Sequence, residues 1–296
     1  MVNQYQKPNT FFVGAPKCGT TAMAKYLDTH PDVFVSKPKE PDWFRKGPKN
    51  SEFGSEEEYL RICFGGSSDH DVVIDANIQS LYTSGAISRI LDFNPNAQFL
   101  VMLRNPVDAA YSFYSMLKSR YKEDAESFQK AWYLQAERAN GKKLPQDKPP
   151  EYHHMWQYDD IFKYGEQIEH LYSMVNRDHV CIIKFSNFKD DPEKAYKKVL
   201  SFFDLPHIVN TEFPKVNQDI RKKSKYVDLL IDYAGYMKRW LGIPYLNTGF
   251  FSNLYSLNAT DHDREPLSQN FREELRQYFS IDAQKLQDIT GMEILE

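Results

Sequence analysis

Residues 10–21 read TFFVGAPKCGTT, an apolar run that a short glycine-containing loop joins to a helical pattern. The apolar run is too short for a helix and predicts a buried strand that ends at Gly14. A helix that begins directly after such a loop presents unpaired N–H groups and a dipole that favour an anion. The stretch therefore predicts a phosphate-binding turn made by Lys17, Cys18, Gly19, Thr20 and Thr21.

The loop has the glycine spacing of nucleotide triphosphatases but lacks their lysine. Four residues separate Gly14 from Gly19, as in the triphosphatase motif, yet Thr20 stands where that motif has lysine. The lysine lies inside the loop instead, at Lys17, which suits a donor whose reactive group is on the 5′-phosphate. A P-loop kinase or NTPase that uses ATP and magnesium, with Asp75 on the metal, is the alternative. A nucleotide-binding protein without catalytic activity is a third hypothesis.

A second anion site is predicted where the apolar run at 98–103 ends in Arg104. Open parallel sheets bind their ligands at the carboxyl ends of the strands. Ser112 follows about two turns into the next helix, so its hydroxyl could reach the same ligand. A guanidinium and a hydroxyl suit an isolated phosphate. The alternative for Arg104 is an ion pair with Asp108 near the helix start.

The rest of the chain alternates strand and helix patterns. Helices are predicted before Pro31, from Pro106, from Asp191-Pro192 and from Pro266, and strands at Thr10 to Gly14, Asp71 to Asp75, Gln98 to Leu103 and His179 to Phe185. This alternation predicts an α/β fold, with a mostly parallel central sheet flanked by helices, in a single domain over 1–296. Segments at about 121–160 and 226–265 are interpreted as variable, with a lid or acceptor-binding role.

Both anion-binding segments resemble those of the PAPS-dependent sulfotransferases, which use 3′-phosphoadenosine 5′-phosphosulfate (PAPS) and release PAP. The turn at 17–21 matches the family's 5′-phosphosulfate loop, and Arg104 with Ser112 matches its 3′-phosphate motif. The resemblance continues through 29–33, through 39–44 and through 202–206, and it is weak at about 121–158 and after Tyr226. The Lys39-Glu40 element is most similar to the heparan-sulfate and bacterial branch.

The resemblance implies roles for particular side chains. It makes Glu40 the base that takes the acceptor's proton and Lys17 the group that stabilises the departing phosphate. Lys37 and Lys39 would hold the sulfuryl oxygens. The basic loop that closes on the 3′-phosphate in the family corresponds to Arg221 and Lys222. Asp75, at the end of a strand, is the rival base, and no metal is required.

Composition limits the partners and the compartment. The 296 residues carry a net charge of −4, which disfavours a protein that coats nucleic acid. Three widely spaced cysteines, no apolar leader and no long apolar run predict a reduced, cytoplasmic protein without a membrane partner. We expect the acceptor to be a small metabolite. Aromatic residues make up 15 % of the chain, and Trp43 and Tyr82 are candidates to stack on adenine.

Overall fold

The computed structural model describes residues 5–145, 150–207, 212–214, 220–222, 259–261 and 265–295. The chain packs into two compact units. The first contains Met1–Ala109, Phe162–Val216 and Leu275–Glu296, and the second contains Ala110–Ile161 and Asn217–Glu274. The single-domain boundary of 1–296 stays a prediction.

A five-stranded, all-parallel sheet forms the centre of the first unit. Its strands stand in the order β2-β3-β1-β4-β5. They are β1 (Thr10–Gly14), β2 (Val33–Val35), β3 (Val72–Asp75), β4 (Gln98–Leu103) and β5 (Val180–Lys184). The three inner strands are almost wholly buried, which is why they read as continuous apolar runs without alternation. The predicted α/β class and parallel sheet are confirmed, and β2 is an additional strand that was not predicted.

Helices follow the strands as the alternating pattern predicts. They are α1 (Thr20–Leu27), α2 (Trp43–Lys46), α3 (Glu56–Phe64), α4 (Ala86–Phe93), α5 (Pro106–Ser119), α6 (Phe128–Tyr133), α7 (Gln135–Ala139), α8 (Tyr158–Phe162), α9 (Tyr164–Met174), α10 (Phe185–Asp190), α11 (Pro192–Phe202) and α12 (Gln269–Thr290). Short 3₁₀ helices lie at Pro48–Asn50, Pro150–Trp156 and Arg177–His179. Within the described part of the chain, no helix is long and apolar enough to cross a membrane.

Local capping explains where several helices begin. The Asp191 carboxylate accepts a hydrogen bond from the Lys194 amide at 2.9 Å, and Pro192 occupies the first helical position of α11, as the sequence predicts. Ser55 caps α3 through the Glu58 amide at 3.1 Å. The last helix begins at Gln269, three residues after the predicted Pro266.

The second unit contains α6, α7 and a two-stranded antiparallel sheet. That sheet pairs β6 (Ile220–Lys222) with β7 (Ala259–Asp261). A charged pair is buried beneath the helices, where Arg138 donates to both carboxylate oxygens of Glu123 at 2.7 and 2.8 Å. The phenol of Tyr158 donates to the same carboxylate at 2.6 Å. The segment at 121–160 is therefore packed around its own polar centre, while most of the segment at 226–265 lies outside the described residues.

Candidate functional site

The strand order creates a crevice between β1 and β4 at the carboxyl edge of the sheet. After β1 the chain crosses towards β2 on one side, and after β4 it crosses towards β5 on the other. Ligands of open parallel sheets bind where neighbouring strands send their connections in opposite directions. The loop at 15–19 follows β1 and Arg104 follows β4, so both predicted anion-binding segments lie at this crevice.

The loop after β1 depends on left-handed backbone at two positions. Lys17 has φ 63° and Gly19 has φ 83°. The Gly19 carbonyl accepts the amides of Ala22 and Met23 at 3.0 and 3.2 Å, so α1 begins immediately after it. A Cβ at Gly19 would come within 3.0 Å of the Phe185 ring, so this position requires glycine both for its conformation and for its packing.

The Arg104 guanidinium joins the two segments. Its Nη1 donates to the Lys17 carbonyl oxygen at 3.3 Å. Its guanidinium carbon lies 4.9 Å from the centre of the Phe185 ring, a cation–π distance. The end of β4 and the turn after β1 thus meet directly, although 87 residues separate Lys17 from Arg104 in the sequence. Both Lys17 and Arg104 are half-buried.

A cleft of about 200 Å³ lies beside Arg104. Its lining includes three cationic side chains, Arg104, Lys184 and Lys189, against one carboxylate, Asp108. Phe185 and Ile294 give the cleft an apolar part. Three positive charges against one negative charge favour an anionic group in this cleft.

Glu40 lies on the segment that connects β2 to α2. Its amide donates to the Ala76 carbonyl at 3.0 Å, and its carboxylate pairs with Lys39 at 3.2 Å. Lys39 also reaches the Thr21 hydroxyl at 3.4 Å. Glu40 is therefore connected through Lys39 to the first turn of α1. Lys37, in contrast, is exposed and pairs with Asp28 at 3.5 Å.

Asp75, the rival carboxylate, is enclosed by the protein. Its side chain accepts a hydrogen bond from the Tyr59 phenol at 2.5 Å, and the residue is 2 % exposed. Burial raises the pKa of Asp75 to about 7; the Tyr59 hydrogen bond opposes the rise and the nearby Asp42 charge adds to it. Glu40 is about one-third exposed, so an acceptor could approach it more easily than Asp75.

Cys18 takes part in the loop through its backbone. Its thiol is fully buried, donates to the Pro16 carbonyl at 3.3 Å and lies 3.5 Å from the Tyr164 hydroxyl. Burial raises the pKa of this thiol to about 12. The side chain is therefore a protonated core group, without the thiolate character of a reactive cysteine.

Three other predicted residues belong to the second unit. Ser112 is on α5 and is 2 % exposed. Arg221 and Lys222 form part of β6, and their side chains lie outside the described residues. Their assignment to the 3′-phosphate stays a prediction.

The adenine-stacking interpretation of Trp43 is wrong. Trp43 is 5 % exposed and stacks on Tyr59 with a ring separation of 5.1 Å and an interplanar angle of 6°. Since one of its faces is already covered and the residue is buried, Trp43 belongs to the core. Tyr82 donates to Gln79 at 2.9 Å, and its stacking role stays a prediction.

The structure adds basic residues that the sequence analysis did not select. Lys184 is the last residue of β5, and Leu103 pairs with it in the sheet. The rule that selected Arg104, a cation at the carboxyl end of a strand, would also have selected Lys184. Lys189 lies in α10 and carries no comparable local signal.

Three comparisons place the chain among known proteins. A sulfotransferase domain family model matches residues 7–227. A solved sulfotransferase from Alicyclobacillus acidocaldarius has a similar fold, with a TM-score of 0.68, 24 % identity and 98 % of both chains covered. Carbohydrate sulfotransferase 15 is 25 % identical over 157 residues in Homo sapiens and 27 % identical in Rattus norvegicus. These matches cover 39 % of this chain and 28 % of either relative, so the chain spans under a third of their length.

Proposed function

The chain belongs to the sulfotransferase domain family, and we propose that it transfers a sulfuryl group from PAPS to a hydroxyl or amine of a small-molecule acceptor. The products are PAP and a sulfated acceptor. The observation that carries this proposal is the hydrogen bond from Arg104 to the Lys17 carbonyl. It supports the proposal because it joins the two segments that are predicted to bind anions, and PAPS has two separated anionic ends.

The turn after β1 is proposed to hold the 5′ end of the donor. Amides at the start of α1 and the charge of Lys17 suit a phosphosulfate. The contributing residues are Lys17, Cys18, Gly19, Thr20 and Thr21. Cys18 contributes its backbone only, because its thiol is buried and protonated.

Arg104 is proposed to hold the 3′-phosphate. The cleft beside it, with Lys184 and Lys189, gives this end of the crevice a positive charge. Ser112, Arg221 and Lys222 are proposed as further contacts to the same phosphate. The displaced lysine makes a kinase or NTPase the less favoured function, because Thr20 stands at the usual lysine position and is buried.

Glu40 is proposed as the general base. The acceptor oxygen or nitrogen attacks sulfur, and its proton passes to the Glu40 carboxylate as the new bond to sulfur forms. The bond between sulfur and the bridging oxygen of the 5′-phosphate breaks, and negative charge accumulates on that phosphate. Lys17 and the loop amides stabilise this charge where it develops. The Lys39 side chain lies 3.2 Å from the Glu40 carboxylate and also contacts the Thr21 hydroxyl at 3.4 Å, which connects the proposed base to the start of α1.

The acceptor is proposed to be a small metabolite bound by the segments at 121–160 and 226–265. A screen tests both the activity and this class of acceptor. The purified protein is incubated with metabolite pools and PAPS labelled with a heavy sulfur isotope, and products are detected by the transferred mass. We expect one class of hydroxyl or amine compound to gain the labelled sulfuryl group, with PAP released in equal amount.

Two carboxylate variants serve as controls for the screen. Glu40→Gln should lower turnover by about 100-fold or more while PAP affinity changes little, since a base typically contributes 10²–10⁴-fold. If Asp75→Asn has this effect and Glu40→Gln does not, Asp75 is the base. Magnesium-dependent phosphoryl transfer from ATP, with no sulfur transferred from PAPS, would replace the proposed function by that of a kinase or NTPase.

A further inference from the structure

The segment that carries Glu40 has an unusual backbone. Glu40 has φ 63° and Asp42 has φ 60°, so two residues with side chains adopt the left-handed conformation within three positions. Aspartate and asparagine tolerate this conformation, but for a longer side chain such as that of Glu40 it is unfavourable and persists only where the surroundings hold it. The contacts that hold this segment therefore determine where the Glu40 carboxylate points.

The Asp42 carboxylate makes the strongest of these contacts. Arg45 donates to it through Nε at 2.7 Å and through Nη2 at 2.6 Å, a two-pronged pair. The Asn77 side-chain amide donates to the same carboxylate at 3.0 Å. Burial alone would raise the pKa of Asp42, but the hydrogen bonds and charge of Arg45 outweigh it and hold the pKa below the ordinary value. We call Asp42, Arg45 and Asn77 the Asp42 clamp.

The clamp connects the segment to the chain that follows β3 and to α2. Asn77 lies just beyond β3, next to Ala76, whose carbonyl accepts the Glu40 amide. Arg45 belongs to α2, and its carbonyl accepts a hydrogen bond from Arg89 of α4 at 2.9 Å. The chain around Glu40 is thus held to the residues just after β3, by its backbone at Ala76 and by the Asp42 side chain at Asn77, and the Asp42 side chain also connects it to Arg45 of α2.

We propose that Asp42, Arg45 and Asn77 are positioning residues for Glu40, which they hold in the left-handed conformation that directs its carboxylate to the reacting centre. This inference rests on the proposed function, in which Glu40 is the base. In this proposal the clamp acts through the backbone between Asp42 and Glu40 and not through contact with donor or acceptor. It affects the chemical step and leaves donor binding to the loop after β1 and to Arg104.

A double-mutant cycle between Asp42→Asn and Glu40→Gln tests the inference. Asparagine tolerates the left-handed conformation, but its amide cannot accept both Arg45 hydrogen bonds. The rate of PAP release from PAPS is measured with the acceptor found by the screen or, without one, with water. We expect Asp42→Asn alone to lower kcat about tenfold or more, because misplacement of a catalytic group by an ångström is this costly. PAP affinity and the KM for PAPS should stay within about twofold.

The double-mutant cycle distinguishes an effect of Asp42 on the placement of Glu40 from a general effect on the stability of the protein. In the Glu40→Gln background, Asp42→Asn should lower kcat no further, since the group that it positions is already lost. Arg45→Lys, which keeps the charge but loses the two-pronged geometry, should reproduce the Asp42→Asn result. Lys46→Gln is the matched control: Lys46 reaches Asp42 only at 3.7 Å, and its loss should leave kcat unchanged.

Several results would contradict the positioning role of the Asp42 clamp. Equal losses of kcat in the wild-type and Glu40→Gln backgrounds would overturn the positioning role, and so would an Asp42→Asn variant with full kcat. A loss of PAP affinity parallel to kcat would mean that the clamp supports the whole donor site. If the wild-type protein transfers no sulfur from PAPS, the proposed function fails first, and the inference fails with it.

Discussion

The ionisation of Asp75, the rival candidate base, should affect the stability of the folded protein. Its carboxyl group ends β3 inside the protein, where burial raises the pKa to about 7. In the unfolded chain an aspartate has a pKa of about 3.9. Between these two values the folded state keeps a proton that the unfolded state has released, so stability falls as the pH rises from about 4 to about 7.

The Asp75→Asn variant should lack this dependence. The asparagine keeps an oxygen that can accept the Tyr59 hydrogen bond but does not ionise. Relative to the variant, the wild-type protein should lose roughly 2–4 kcal/mol of unfolding free energy between about pH 4.5 and pH 8. Urea unfolding at both pH values measures the difference, in which the other titrating groups cancel. Parallel stability profiles would mean that Asp75 ionises as readily in the folded protein as in the unfolded chain.

At the scale of elements, the helices of the second unit depend on one buried ion pair. Glu123 and Arg138 have fully buried side chains and pair at 2.7 Å. Glu123→Gln leaves the buried Arg138 guanidinium with only the exposed Asp124 carboxylate, 3.2 Å away, as a charged partner. The variant should cost about 3–5 kcal/mol of stability. The exposed pair of Lys130 with Glu126 at 3.1 Å is the control, and Lys130→Gln should change stability by less than about 1 kcal/mol. Denaturant unfolding and limited proteolysis within 121–160 measure both variants.

A small effect of Glu123→Gln would contradict this account. It would indicate that Arg138 keeps its other contacts, such as the hydrogen bond to the Lys143 carbonyl at 3.2 Å, and that these are sufficient. An Arg138→Met variant is the reciprocal test, because it removes the guanidinium and leaves the buried Glu123 carboxylate with the Tyr158 hydrogen bond alone among its side-chain donors. It should also be strongly destabilised.

The strands show which parts of the fold could be predicted from the sequence. Four strands were predicted within one residue at either end, because each is a buried apolar run bounded by turn residues. The strand β2 (Val33–Val35) was missed, since three residues are too few to establish a pattern. The ion pair of Glu123 with Arg138 joins positions 15 apart with no local signature, so only the folded chain reveals it.

The candidate site likewise has one part that the sequence predicts and another that only the structure shows. The turn at 17–21 and Arg104 have local signatures, a glycine-containing loop before a helix and a cation after a strand, and the structure places them together. The Asp42 clamp is not readable from the sequence. Asp42 and Asn77 are 35 residues apart and meet only because β2 and β3 are neighbours in the sheet.

For the whole molecule, the main consequence of the fold is that several charged side chains lie at the carboxyl edge of the five-stranded sheet. The ends of β1, β4 and β5 carry Lys17, Arg104 and Lys184, and the segment after β2 carries Glu40. The net charge of the chain is −4, so attraction of the proposed anionic donor would depend on this local arrangement. Such an edge suits the two separated anionic groups of the proposed donor.

The most direct test of this account is a calorimetric comparison of PAP, 5′-AMP and ATP with magnesium on the wild-type protein and two variants. PAP and AMP differ only in the 3′-phosphate. The wild-type protein should bind PAP at least about tenfold more tightly than AMP, because a charge-assisted phosphate contact contributes about 1.5–3 kcal/mol. Arg104→Ala should remove most of that preference, whereas Lys17→Ala should lower the affinities for PAP and AMP by a similar factor. A wild-type protein that is indifferent to PAP but binds ATP with magnesium would contradict the account.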